Sequence, residues 1–178
     1  MSPELESAWS WLHELSHLPC AEQSNHTMCL SALQPAMTYW ARTLSDCPEL
    51  VVLGTSHEGG YRGRLLYLPT SIRLGQSQHE NLSFYLWRLL YLISQRQLGL
   101  NWQEPGHYTL EASRHRAQAS APQVLNQLFG LDARLEPLYQ LLQTRVAQAA
   151  IFDVENWLPW GRWLAPLPVT QHLSAQAD

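Results

Sequence analysis

The chain contains no lysine; all 11 of its basic residues are arginines. That absence removes the P-loop lysine, the Schiff-base lysine and the kinase-type phosphate lysine, and with them several nucleotide and carbonyl chemistries. Charge is scarce as well. Only 15% of residues are charged and the formal net charge is -4, with a pI near 6.0. A nucleic-acid binder needs a basic footprint to release counterions, so that class is not expected. Cysteine is limited to Cys20, Cys29 and Cys47, which cannot all pair within the chain. Their spacing matches no CxxC-type metal or redox motif, and reduced, mostly buried thiols are expected. Met1 to Leu18 carries Glu4, Glu6 and Glu14 but no basic residue, so it lacks the positive start of a secretory signal. No long apolar run exists either. The most apolar stretch, Leu82 to Ile93, includes Ser83 and Arg88 and falls short of the roughly 20 residues that a membrane span requires. These absences together point to a soluble, cytoplasmic protein with no membrane span and no bound cofactor.

What the sequence does have is leucine, aromatic bulk and punctuation. Of its 178 residues 46% are hydrophobic and 8 are tryptophan, and leucine far exceeds isoleucine plus valine, which favours helix over sheet. The expected fold is mainly α: a single helical domain of about five helices with one small β-hairpin at about residues 50–68. The domain would cover 1–155, followed by a Trp/Pro-rich tail over 156–178 that is disordered at its end. Ser2-Pro3-Glu4 opens a first helix, which should stop at Pro19. A second is expected over 27–44, with Pro35 as a kink or a late start. Leu50 to Leu53 and Leu65 to Leu68 flank a glycine-rich connection and read as the two arms of the hairpin. From Asn81 to Leu98, apolar residues recur at three- and four-residue spacing nearly all round, which predicts a central helix stopped by Gly99. Further helices are expected over 108–129, interrupted at Pro122, and over 135–152. Val124, Leu128, Leu131, Leu135, Leu138, Leu142, Val146 and Ala149 form their core stripe.

Four strings could carry chemistry. His13-Glu14-Leu15-Ser16-His17 is a formal HExxH, which on a helix places two imidazoles on one face with a glutamate beside a metal-bound water. Pro19 ends the helix too early, and no third ligand fits the spacing. The favoured reading is therefore two histidines on the part-exposed face of an amphipathic helix, with no metal. His57-Glu58-Gly59-Gly60-Tyr61-Arg62-Gly63-Arg64 could cradle an anion, but it is neither GxGxxG nor a Walker loop and reads better as a solvated, mobile hairpin tip. Arg114-His115-Arg116 is too short for a nucleic-acid patch. The tail Trp157 to Pro168 holds three Trp, three Pro and one Arg. Trp157, Trp160, Arg162 and Trp163 are the candidate partner-binding residues, set against the alternative that the indoles close the core. No catalytic residue is expected; GxSxG and DxSxS strings are missing.

Residues 65–102, LLYLPTSIRLGQSQHENLSFYLWRLLYLISQRQLGLNW, resemble the N-terminal helical region of the nitric-oxide-reductase activation proteins of NorD type and their Rubisco-activation relatives of CbbO type. The likeness lies in the LYLP-x-x-I exit at Leu66 to Ile72, in Asn81 and in the Tyr85-Leu86-Trp87 helix start. Weaker echoes are Trp9 and Trp11, the leucine helix around Phe129 to Leu142 and the Trp/Pro exit near Trp163 to Pro168. Members of that family continue into a von Willebrand A domain with a DxSxS metal site and work with an AAA+ ATPase of MoxR type. That domain is missing here, which puts metal-dependent target binding in doubt. The resemblance implies a non-enzymatic accessory protein that assists assembly or activation of a respiratory metalloenzyme of nitric oxide reductase type, docking to an ATPase or target enzyme. Two alternatives stand beside it. Gln103 to Tyr108 faintly resembles the EPxDH string of molybdoenzyme-type maturation chaperones, without the acidic residue at the Asp position. A small zinc hydrolase using HELSH is the other.

Overall fold

A computed structural model of the chain describes residues 3–15, 26–100, 109–149, 153–162 and 164. The elements follow in the order α1 (Pro3–Leu15), β1 (Met28–Cys29), α2 (Leu30–Ser45), β2 (Val51–Thr55), β3 (Gly60–Arg62), β4 (Leu65–Pro69), β5 (Ser71–Ile72), α3 (Gln78–Gln97), α4 (Leu110–Leu131), α5 (Leu135–Ala149) and α6 (Asp153–Trp157). The expected mainly helical class holds, with six helices and two small sheets among the described residues. None of these helices is long and apolar enough to cross a membrane.

The centre is α3. Ser77 caps it, accepting a hydrogen bond from the Glu80 N–H at 3.1 Å, and Glu80 in turn accepts from the Gln76 N–H at 2.9 Å. Such reciprocal bonding satisfies donors that the first turn leaves free. Gly99, at φ +67°, follows the last turn in the left-handed region. Every residue from Asn81 to Gln95 is buried, because α1, α2, α4, α5 and strands β1, β3, β4 and β5 all pack on this one helix. The stripe along α4 and α5 closes one side. Val124, Leu128, Leu135, Leu138, Leu142 and Val146 are buried as expected, but Leu131 is 46% exposed because it sits in the last turn of α4 and points out of the bend. Neither Pro122 nor Gly130 ends α4, and Pro35 lies inside an unbroken α2. Burial of one face holds these helices together across residues that propensity alone would treat as stops.

The region expected as one hairpin is built differently. Residues 51–55 and 65–69 pair in parallel, Val51 with Leu65 through Thr55 with Pro69, while β3 pairs antiparallel with β4. The sheet order is β2-β4-β3, so the hairpin of residues 50–68 reduces to β3 and β4, and β2 joins from the other side. The glycines explain the difference. Gly59 has φ +84°, and a Cβ there would lie 2.0 Å from the Tyr67 carbonyl oxygen. The chain therefore turns back at Gly59 and inserts β3 before β4. The outer edge of β2 does not face water alone, since Gln34 of α2 donates to the Val52 carbonyl and the Thr38 hydroxyl accepts from the Val52 N–H. A second ribbon, β1 with β5, was not legible in the sequence. Asn81 ties it down, donating to the His26 carbonyl at 2.7 Å.

Replacing Gly59 by Ala should destabilise the chain by more than about 2 kcal/mol, combining positive-φ strain with a backbone clash. Urea denaturation checks this; a change under about 0.5 kcal/mol would mean that the turn at Gly59 is not needed.

Candidate functional site

The densest group of ionisable side chains lies where the β2–β3 loop meets α3, α4 and the tail. Glu58 is only 1% exposed and Arg88, in the middle of α3, is fully buried. A guanidinium there needs acceptors that its own helix cannot give. Arg88 donates through Nε at 3.3 Å and Nη2 at 2.9 Å to the backbone carbonyl of Glu58. The Glu58 carboxylate accepts from Arg114 of α4, Nε to Oε1 at 2.8 Å and Nη2 to Oε2 at 3.1 Å, the bidentate geometry that arginine alone provides. Arg162 of the tail forms a second ion pair with this carboxylate at 2.8 Å, and Arg114 reaches on to Asp153 of α6 at 2.6 Å.

Burial by itself would raise the Glu58 carboxyl's pKa. The hydrogen bond from Arg114 and the charge of Arg162 outweigh it, so the group titrates below its ordinary value. Burial moves Arg88 the other way, down to about 10, against the opposing pull of Glu58. The Arg162 guanidinium is likewise lowered by burial, with Arg114 and Arg62 adding repulsion. Three arginines thus converge on Glu58, Arg114 and Arg162 on its carboxylate and Arg88 on its backbone carbonyl. This corrects the expectation for His57 to Arg64: its tip is not solvated, because Glu58, Gly59, Gly60 and Tyr61 are all buried. Of the string's own arginines, Arg64 pairs with Glu49 at 2.6 Å and Arg62 lies 5.9 Å from the centre of the Tyr67 ring, so neither pairs with Glu58.

The tail continues the same construction. Gln95 of α3 donates to the Gly161 carbonyl at 2.6 Å, the Tyr61 N–H donates to the Arg162 carbonyl at 2.9 Å, and the Leu164 N–H donates to the Tyr61 carbonyl at 2.9 Å. One residue bonding to positions two apart on its neighbour is the pattern of a parallel pair. The tail is therefore added to the free edge of β3. Trp160 lies 6.3 Å from Tyr91 and 6.1 Å from Tyr139, ring centre to ring centre. Trp157 stacks on His115 at 6.3 Å, with the Arg114 guanidinium 5.4 Å from its ring. Of the candidate partner-binding residues, Trp157, Trp160 and Arg162 are thus part-buried on the domain, and Trp163 lies outside the described residues. Sequence reasoning missed Glu58, Arg88 and Arg114 as a set, because the bonds join elements far apart in the chain. A charge in the middle of an all-round apolar helix was the available signal.

The other ionisable groups brace helices. Arg134 binds Asp132 at 2.6 Å and Glu6 at 2.7 Å, beside Trp9, whose indole donates to Asp132 at 3.1 Å. This fastens α1 to the turn between α4 and α5. Arg145 of α5 holds Glu80 of α3 at 3.1 and 3.2 Å. His13 and Glu14 are exposed on α1, along a groove of about 470 Å³ that His79 and Arg134 also line. The His13 and His79 rings lie 6.1 Å apart, while His17 falls outside the described residues. Among the described residues no group of three or more potential ligands is placed to hold a metal ion. Cys20 and the string Gln103 to Tyr108 also lie outside them. Comparison of the chain with protein-family models, with curated proteins and with solved structures finds no match.

Glu58→Gln removes the charge while keeping the shape, and takes from Arg114 and Arg162 the buried carboxylate that they share. A loss of about 3 kcal/mol at neutral pH is expected. Because the folded-state carboxyl is held below its ordinary value, the stability it supplies is complete above about pH 4.5 and disappears as the pH falls through the lowered value. The gap between the parent and Glu58→Gln should therefore narrow on acidification below that point. Melting curves at neutral and acid pH test it; a gap independent of pH would show that the charge of Glu58 contributes nothing.

Proposed function

We propose that the chain is a non-enzymatic accessory protein that assists assembly or activation of a respiratory metalloenzyme of nitric oxide reductase type, together with an AAA+ ATPase of MoxR type. What carries the reading is the resemblance of residues 65–102 to the helical region of NorD-type proteins, set beside where those residues lie. They supply β4, β5 and the whole of α3, the element around which the rest of the chain is packed. A likeness concentrated there concerns the scaffold of a docking domain, as the reading requires. The perturbed ionisable groups favour it too. Glu58, Arg88, Arg114 and Arg162 hold elements together, whereas a catalytic pair would meet substrate in an open cleft.

Docking falls to the tail and the helical faces beside it. Trp157 and Trp160 are only part-buried, so each offers an indole rim that is already fixed in position and loses little freedom on binding. Of the alternatives, the zinc hydrolase has one observation in its favour, the approach of His79 to His13 across the groove at α1.

Purification of the tagged full-length chain in native buffer, with metal analysis of the same sample, separates these readings. Co-purification of a MoxR-type ATPase or a respiratory reductase with the chain is the expected result. One zinc per chain with neither partner recovered would contradict it, and Glu14→Ala would then be the variant to assay. Trp157→Ala, which leaves the Glu58 cluster in place, is expected to weaken capture at least tenfold; unchanged capture would move the docking face away from the tail.

A further inference from the structure

The edge of β3 is built as a receptor for an extended segment. Tyr61 presents one N–H and one carbonyl outward, and both are taken by residues 162 and 164. Two glycines let the strands approach. A Cβ on Gly60 would lie 2.0 Å from the Arg162 carbonyl oxygen, and one on Gly161 would lie 2.5 Å from both the Gln95 side-chain oxygen and Leu92. The first glycine belongs to the seat and the second to the segment sitting in it.

The seat does not depend on that segment for its charge balance. Arg114 alone covers both oxygens of the Glu58 carboxylate, and Arg88 is held by the Glu58 carbonyl. Arg162 arrives as a second arginine on a carboxylate that already has one. It brings positive charge into a place where Arg88 and Arg114 already supply it, and Arg88 has a buried Nη1 with no hydrogen-bond partner among the described residues. The preceding residues are anchored independently, Leu158 being only 3% exposed and Trp160 packed on Tyr91 and Tyr139. Gly161, Arg162 and Leu164 can therefore leave while the base of the tail stays.

We infer that the β3 edge is a peptide-docking seat that Gly161, Arg162 and Leu164 occupy in cis, and that a partner protein enters it with an extended segment of the same chemistry, a glycine followed by an arginine. The glycine fits the slot against Gln95 and Leu92, the arginine pairs with the Glu58 carboxylate beside Arg114, as Arg162 does at 2.8 Å, and the backbone adds a parallel strand to β3. This inference rests on the view of the chain as a docking protein, but its test involves neither the ATPase nor the reductase. Its failure would leave that broader view standing.

The test uses the full-length chain and a fluorescein-labelled peptide of residues 158–164. Gly161→Ala in the chain should unseat the internal strap without altering the seat. The peptide, which retains glycine, should then bind at least tenfold more tightly to Gly161→Ala than to the parent, as read by anisotropy. Adding Gly60→Ala should abolish that binding, because the new methyl group takes the place of the incoming carbonyl. Equal affinity for parent and Gly161→Ala, or binding that survives Gly60→Ala, overturns the inference. Loss of near-ultraviolet circular dichroism in Gly161→Ala also overturns it, since the seat would then need the strap to exist. Sedimentation that shows Gly161→Ala monomeric and the parent dimeric would assign the seat to a second copy's tail and overturn the partner.

Discussion

A guanidinium in the middle of a helix that water does not reach must be met by other parts of the chain, and Arg88 sets that requirement here. Its helix is covered on every side, so the compensating acceptor had to come from outside it. The β2–β3 loop supplies a carbonyl to Arg88 and, on the same residue, a carboxylate to Arg114 and Arg162. Glu58 thereby joins α3, α4 and the tail at one point, and Asp153 extends the connection to α6 through Arg114. Gly59 and Gly60 follow directly because the loop must pass close to β4 and to the tail in order to bring Glu58 inward. Much of the sheet's unusual order can be understood as a consequence of that delivery.

The absence of lysine takes on physical meaning in the same light. The interior and half-buried braces, Arg114 on Glu58, Arg134 on Asp132 and Glu6, and Arg145 on Glu80, are multiple hydrogen bonds from a planar fork. An ammonium group is more strongly hydrated and cannot span both oxygens of a carboxylate in this way. In Asp132 as in Glu58, burial would raise the carboxyl's pKa and the arginine hydrogen bonds more than reverse it. The braces connect successive layers: α1 to the α4–α5 turn, α5 to α3, and α4 to the loop. Among the described residues the tail covers the outer backbone edge of β3, an arrangement that suits the docking role proposed above.

The helical parts of this arrangement were legible in the sequence because local spacing determines them. The repeat from Leu82 to Ile93 marked α3 as central, and the stripe from Val124 to Val146 marked the facing surface. The strand pairing was not legible. Two short apolar runs on either side of glycines suit a hairpin, and only the positive φ at Gly59 and the inserted β3 turn them into a parallel pair. Glu58 was misassigned to a solvated tip for a related reason: its neighbours His57, Arg62 and Arg64 are charged or polar, while the partners that make its burial possible lie on α4 and in the tail. Arg88 was visible as an oddity inside an apolar helix, although nothing in the local pattern identified its acceptor. Of the tail's tryptophans, Trp157 and Trp160 are part-buried, with rings near His115 for the first and Tyr91 and Tyr139 for the second.

A double-mutant cycle between Arg88→Met and Glu58→Gln, measured by urea denaturation, tests the central claim most directly. Glu58→Gln keeps the carbonyl that holds Arg88, so the cycle reads the attraction between the two charges: each single variant is destabilised and the double variant loses less than the sum, by about 1 kcal/mol or more. Losses that add to within about 0.5 kcal/mol would contradict the account, because Arg88 and Glu58 would then stabilise the chain independently.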